Sequence, residues 1–221
     1  MGHFFAPIAT ISTQPMSSET VRELLESEAP ANPFALFAQW YLAAEASALP
    51  EPSAMTLATA TAEGVPDARM VLMRGFDERG FLFYTNYQSR KAHEVGQNPR
   101  AALVFYWALL QRQIRVEGVV EKISTEESDA YFRSRAFGHK LGAIVSPQSQ
   151  VIPDRQVLDD RWQMLFDELD ETDEVPRPPH WGGYRVIPHT FEFWQGRANR
   201  LHDRLRYRGG PAEWIIERLA P

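Results

Sequence analysis

The chain has 221 residues, 44% of them hydrophobic, which is enough for one core and compatible with a single domain. A formal net charge of -6 argues against a general nucleic-acid binder, so any basic cluster is local and suited to a small anion. No cysteine is present, which excludes disulfides, thiolate catalysis and cysteine-ligated metals.

Residues 1–29 read as a loose N-terminal extension, with Met16 as an alternative start. Phe4 to Ala9 lacks the basic start and sustained apolar stretch of a signal peptide. The longest apolar run, Ala101 to Leu110, is far short of the ~20 residues that span a bilayer. A soluble, cytoplasmic protein is expected. Asn32 with Pro33 predicts a helix start, and Phe34, Leu36, Phe37, Trp40, Tyr41 and Leu42 follow as an apolar stripe. Met55 to Thr61, Arg69 to Phe76 and Phe81 to Tyr87 then read as an antiparallel meander, broken at 63–66 and 77–80. Ser89 is placed to cap a short helix through Val95.

Two longer strands are predicted at 101–109 and 113–123. Ser124 and Glu127 are spaced as a capping box for a helix carrying Tyr131, Phe132 and Arg135. An acidic amphipathic helix is expected over 153–169, then a loop over 170–179. Closing strands are expected at 184–187, 190–194, 201–206 and 214–218. This order implies one domain over 30–221, an α+β fold built on an antiparallel barrel with peripheral helices.

Chemistry concentrates in four places. If 200–205 is extended, Arg200, His202 and Arg204 share one face beside Trp194, and Leu201, Asp203 and Leu205 share the other. That face suits a planar anionic ligand, or it is a solvated strand face. Arg69, Tyr84, Thr85, Arg90 and Lys91 gather cations and hydroxyls near a helix start, which suits a phosphate; a basic helix start without ligand has the same pattern. Gln113, Gln148 and Ser149 offer groups that read the edge of a flavin or base, or they are surface amides. Tyr131 and Arg135, at i and i+4, suit a second phosphate or form an ordinary surface pair. His93, His139, His180, His189 and His202 are scattered, so no metal site is expected.

Several motifs in order resemble the pyridoxamine 5′-phosphate oxidase family: 69–74, Phe83-Tyr84-Thr85-Asn86, Ser89-Arg90-Lys91, Trp181-Gly182-Gly183-Tyr184, 192–196, 200–204 and 217–221. The resemblance implies a split β-barrel that works as a homodimer, with FMN at the subunit interface and both subunits contributing to each site. It assigns cofactor contacts to Arg69, Met70, Val71, Leu72, Met73, Arg74, Tyr84, Thr85, Arg90, Lys91, Gln113, Gln148, Ser149, Trp194 and Arg204. It assigns substrate contacts to Arg74, Tyr131, Arg135, His139, Arg200 and His202, with Arg200 and His202 catalytic at the pyridine ring. The implied reaction oxidises pyridoxamine or pyridoxine 5′-phosphate to pyridoxal 5′-phosphate, with oxygen reduced to hydrogen peroxide.

Three departures fall on the substrate side. Arg74 stands where the family has lysine, His139 matches a phosphate-binding serine, and the family's Arg-x-x-Tyr lid has no clear match in 17–22. Two alternatives stay open: a related FMN oxidase of the phenazine-precursor type, and a non-catalytic protein that binds FMN or pyridoxal phosphate.

Overall fold

The computed structural model describes residues 23–210 and 212–221; the alternative start at Met16 and the lid segment 17–22 lie outside the described residues. Fourteen elements follow in chain order: α1 (Pro33–Glu45), β1 (Ala54–Ala60), β2 (Pro66–Leu72), β3 (Gly75–Asp77), β4 (Gly80–Asn86), α2 (Arg90–Gln97), β5 (Arg100–Trp107), β6 (Arg112–Lys122), α3 (Thr125–Ser134), α4 (Phe137–Val145), α5 (Gln156–Glu168), β7 (Trp181–Gln195), β8 (Asp203–Gly210) and β9 (Glu213–Arg218). The strands form one antiparallel sheet in the order β2-β1-β5-β6-β7-β4-β3, with β8 on β7 and β9 on β8. This is the expected split barrel with helices around it. No helix among the described residues is long and apolar enough to cross a membrane.

Helix α1 begins as its residues dictate. The Asn32 side chain accepts the Phe34 N–H at 2.9 Å, and Pro33 takes the first helical position, where no N–H is needed. The helix lies against the open side of the barrel and drives its apolar stripe into it. Phe37 is fully buried, with rings of Phe76, Phe81 and Phe105 at 4.7, 4.8 and 5.1 Å; Trp40 meets Phe193 edge-on at 5.3 Å. Such aromatic contacts add to the burial of the rings themselves.

Strand β7 organises the sheet. Its first part, Trp181 to Val186, pairs with β4, and its last part, Thr190 to Gln195, pairs with β8, while β6 runs along nearly all of it. The partners change over at an irregularity where Gly118 faces Pro188 and Glu117 faces Thr190, leaving His189 outside the register. Pro188 has no N–H to give, so a break in the ladder suits it. Gly118 is required by close approach, because a Cβ there would run into the Ile187 carbonyl.

Several expected elements differ. The strands foreseen at 184–187 and 190–194 are one strand of 15 residues, bent at the bulge and not interrupted by Pro188. The run 69–76 is two strands, β2 and β3, parted at Met73 and Arg74. Helix α4 lies outside the expected elements; Gly138 and Gly142 lower its helix propensity, and no side chain caps its start. Helix α3 ends at Ser134, so Arg135 is its extended C-cap, not a helical position. Strand β8 starts only at Asp203; Ala198–Arg200 is a 3-10 turn with Asn199 and Arg200 at φ 58° and 61°. Strand alternation therefore does not align Arg200 with Arg204, and Leu201 is exposed while Leu205 is fully buried. The capping box of Ser124 and Glu127 is present as expected.

Replacing Phe37 with Ala should remove the ring that joins α1 to three strands. The expected loss is about 3–5 kcal/mol in a denaturant titration, as for other buried phenylalanines; a loss under about 1 kcal/mol would show that α1 contributes little to the barrel.

Candidate functional site

One group of site residues collects where β2, β4 and the start of α2 meet. The buried Lys91 ammonium donates to Thr85 Oγ1 and to Gln148 Oε1, both at 3.3 Å, and Thr85 donates to Gln148 at 2.9 Å. These acceptors are neutral. Burial, with Arg69 nearby, pulls the Lys91 pKa below its usual value. Ser89 stands at the N-cap of α2 but makes no cap bond, contrary to expectation; its Oγ is buried without a hydrogen-bond partner. A buried cation beside an unspent hydroxyl and the free N–H groups of a helix start fits a phosphate group. Arg69 and Arg90 flank it, each engaged with Asp67 and Glu94. Met70 is exposed beside them, Val71 and Leu72 are half-buried, and Met73 is buried. Ser149 follows Gln148 with φ 71° in an exposed turn.

An aromatic stack joins this group to a second one. The Tyr84 ring lies 3.8 Å from that of Tyr131 and 5.5 Å from that of Trp181, both nearly parallel. Burial pushes the Tyr84 hydroxyl pKa up to about 12, so it remains a donor at neutral pH. The Arg135 guanidinium sits 4.6 Å above Trp181, and its Nη2 donates to the His139 carbonyl at 2.8 Å. Tyr131 and Arg135 thus meet on Trp181, not on a shared helix face. Arg135 Nε is buried without a partner, and burial, with Arg74 nearby, disfavours its charge. It lines a cavity of about 290 Å³ with Asn86, His139, Ser146, Gln148 and Trp181. An adjoining cleft of about 640 Å³ carries Arg74 and Tyr131 with Tyr41, Glu45 and Glu51. His139 meets Arg135 through its backbone carbonyl.

The third group lies elsewhere. Gln113, Trp194 and Arg204 face one another across β6, β7 and β8, with Tyr106 of β5 at the end of the row. Their neighbours in the next row, Phe105, Ile114, Phe193 and Leu205, are all fully buried, so this row is on the outer face. The His202 ring is 4.6 Å from Trp194, and His202 Nδ1 accepts the Arg197 N–H at 3.1 Å. The neutral ring then carries its proton on Nε2. Arg200 is exposed and makes no hydrogen bond or ion pair to described residues. Arg204 is anchored on Glu192 at 2.8 Å.

The structure brings the first two groups together and holds the third apart. Tyr84 and Thr85 pair with Gly183 and Gly182 at one end of β7, and Gln113 and Arg204 pair with Trp194 at the other. At ~3.3 Å per residue the stretch of β7 from Gly183 to Trp194 spans at most roughly 36 Å.

Sequence reasoning missed the residues that hold the Arg200–His202 turn. Asp203 accepts from Leu24 N–H at 3.2 Å and from Arg218 at 2.9 Å. Arg218 also grips Glu26 through two nitrogens and donates to the Leu24 carbonyl at 2.7 Å. Residues 23–28 are thereby docked beside the turn, with Leu24 buried. The only sequence signal was Arg218 and Asp203 inside the quoted motifs; their partners lie about 180 positions away. Arg218 pulls the Glu26 pKa down to about 2, so this contact is present above the usual glutamate range and lost as pH falls through about 2. In hydrogen exchange the Leu24 amide should be protected at neutral pH and lose protection in strong acid. Glu26→Gln should speed its exchange about fivefold at neutral pH; an unchanged rate would show that the ion pair does not hold the segment.

Residues 42–166 match the family model described as Pyridoxamine 5′-phosphate oxidase, and residues 181–221 match the Pyridoxine 5′-phosphate oxidase C-terminal dimerisation region. A pyridoxine/pyridoxamine 5′-phosphate oxidase of Acaryochloris marina is 58% identical over 198 residues, covering 90% of each chain. A protein of the same name from Bordetella petrii is 57% identical over 202 residues, 90% of this chain and 93% of its own. The solved structure of PhzG from Burkholderia lata, in complex with tetrahydrophenazine-1-carboxylic acid, is 32% identical, with a TM-score of 0.85 over 91% of this chain and 99% of that one. The matched segments take in Lys91, Arg135, Trp194 and Arg200, one or more residues from each of the three groups, and the chain belongs to the pyridoxamine 5′-phosphate oxidase family.

Proposed function

We propose that this chain is an FMN-dependent oxidase converting pyridoxamine 5′-phosphate or pyridoxine 5′-phosphate to pyridoxal 5′-phosphate, with oxygen reduced to hydrogen peroxide. The carrying observation is a pair of under-matched cations, the buried Lys91 and the half-buried Arg135, on either side of the Tyr84–Tyr131 stack. Two anion sites flanking an aromatic wall suit two phosphorylated planar molecules, a flavin mononucleotide and a B6 vitamer. The names of relatives at 55–58% identity support the same reaction.

Lys91, Thr85, Ser89, Arg69 and Arg90 would hold the cofactor phosphate, and Gln113, Trp194 and Arg204 would meet its ring system. Bound FMN supplies two-electron oxidation at the substrate's 4′ carbon and passes the electrons to oxygen. Arg135 and Tyr131 receive the substrate phosphate, with Arg74 in the adjoining cleft. Arg200 offers an unspent guanidinium to the pyridine ring, and His202 offers its Nε2 proton to a polar substituent. The span of β7 keeps the Arg200–Trp194 group out of reach of the same chain's phosphate sites. We infer a homodimer in which each site takes its phosphate groups from one chain and its Trp194, Arg200 and His202 from the other. The match of residues 181–221 to a dimerisation region supports this.

A phenazine-type oxidase is the second reading, favoured by the PhzG likeness and by Arg74 and His139. A substrate without phosphate would leave Arg135 unspent, and the identity to PhzG is 32%.

The purified protein should be yellow, and adding pyridoxamine 5′-phosphate without air should bleach it. With air it should consume oxygen and yield hydrogen peroxide; a flavin-loaded protein that does neither contradicts the reading. Arg135→Leu should raise KM for the phosphorylated substrate about 10- to 100-fold, as expected for losing a charged hydrogen bond. Arg200→Leu should lower kcat/KM about 100-fold or more with FMN retained; loss of FMN instead would show that Arg200 serves the cofactor.

A further inference from the structure

Arg69 and Arg90 are bridged by two carboxylates that the proposed chemistry does not use. Glu94, on α2 and only 4% exposed, accepts from Thr59 and Arg69 through one oxygen and from Arg90 Nε at 2.9 Å through the other. It is fixed from three sides. Asp67 stands on β2, an edge strand, with its side chain 28% exposed. Its Oδ2 accepts from Arg69 Nη2 and lies 3.1 Å from Arg90 Nε. Among the described residues its other oxygen is held only by the adjacent Ala68 N–H at 2.9 Å.

The two carboxylates therefore differ in what they can do. Glu94 cannot leave without stranding a buried charge and three donors. Asp67 can turn to solvent, and it occupies the guanidinium edges that a phosphate would need. Its pKa is lowered, chiefly by the Arg69 hydrogen bond, so it is an anion at neutral pH.

We propose that Asp67 is a resident counter-ion seated between Arg69 and Arg90 in the place of the cofactor phosphate, and that it swings out when the phosphate binds, while Glu94 is the fixed positioning residue for both arginines. This rests on the reading above that Arg69 and Arg90 serve the FMN phosphate. A carboxylate competing for the same donors weakens phosphate binding, so its removal should strengthen it. Removal of the buried anchor should do the opposite.

The test is a flavin fluorescence titration of the full chain freed of bound flavin, with FMN and with riboflavin, which lacks the phosphate. Asp67→Asn should tighten FMN binding about tenfold and leave riboflavin affinity unchanged. Glu94→Gln should weaken FMN binding about tenfold or more, again with little effect on riboflavin. Inorganic phosphate should compete with FMN more strongly in Asp67→Asn than in the wild type. The rim position of Asp67 makes that variant informative even if Glu94→Gln folds poorly. Wild-type binding of FMN with Asp67→Asn unchanged or weaker overturns this proposal alone. A wild-type chain that binds neither flavin overturns the functional reading and this proposal with it.

Discussion

The length and partner exchange of β7 govern the molecule. One strand of 15 residues closes against β4 at its start and β8 at its end, with β6 alongside. Phe191 and Phe193 point inward to the α1 aromatics, so the same strand holds the core and carries one group of the proposed site residues at each end. Shortening it would merge the two sets and lose the core contacts. In the proposed dimer, its length is what lets each chain give one half-site to one composite site and the other half-site to the second.

Charge pairing divides the basic side chains of the described residues into those braced by carboxylates and those left under-matched. Glu192 holds Arg115, Arg206 and Arg208 share Glu217, and Arg177 grips Asp129. These arginines brace strands and loops. Lys91 has neutral acceptors, Arg135 has a buried N–H without a partner, and Arg200 points into solvent. In a chain of net charge -6, Lys91 and Arg135, both under-matched and both beside Gln148, form a local field that attracts phosphate. Asp67 and Glu94 temper that field at one point, one movable and one fixed.

Local rules carried most of the fold. Asn32 before Pro33 and Ser124 with Glu127 announced their helices, because caps are short-range chemistry. What the chain hid is non-local. Pro188 reads as a strand breaker, yet the bulge opposite Gly118 lets β7 continue. The Arg200 turn looked extended by alternation, but Asn199 and Arg200 adopt positive φ and β8 begins at Asp203. The proposed site residues were legible as residue types, and Tyr131 and Arg135 do lie together, though not on a helix face: Trp181, about 50 positions later, joins them. Glu26, Asp203 and Arg218 were invisible as a unit, since no spacing rule links residues so far apart in sequence.

The central claim is that each site draws on two chains. It is tested most directly by co-expressing an Arg135→Leu chain and an Arg200→Leu chain with different tags and purifying the mixed dimer. Each variant alone has two damaged sites. In the mixed dimer one site inherits both defects and the other inherits neither, so about half of the wild-type turnover per dimer should return. A mixed dimer as inactive as its two parents would show that each chain completes its own site.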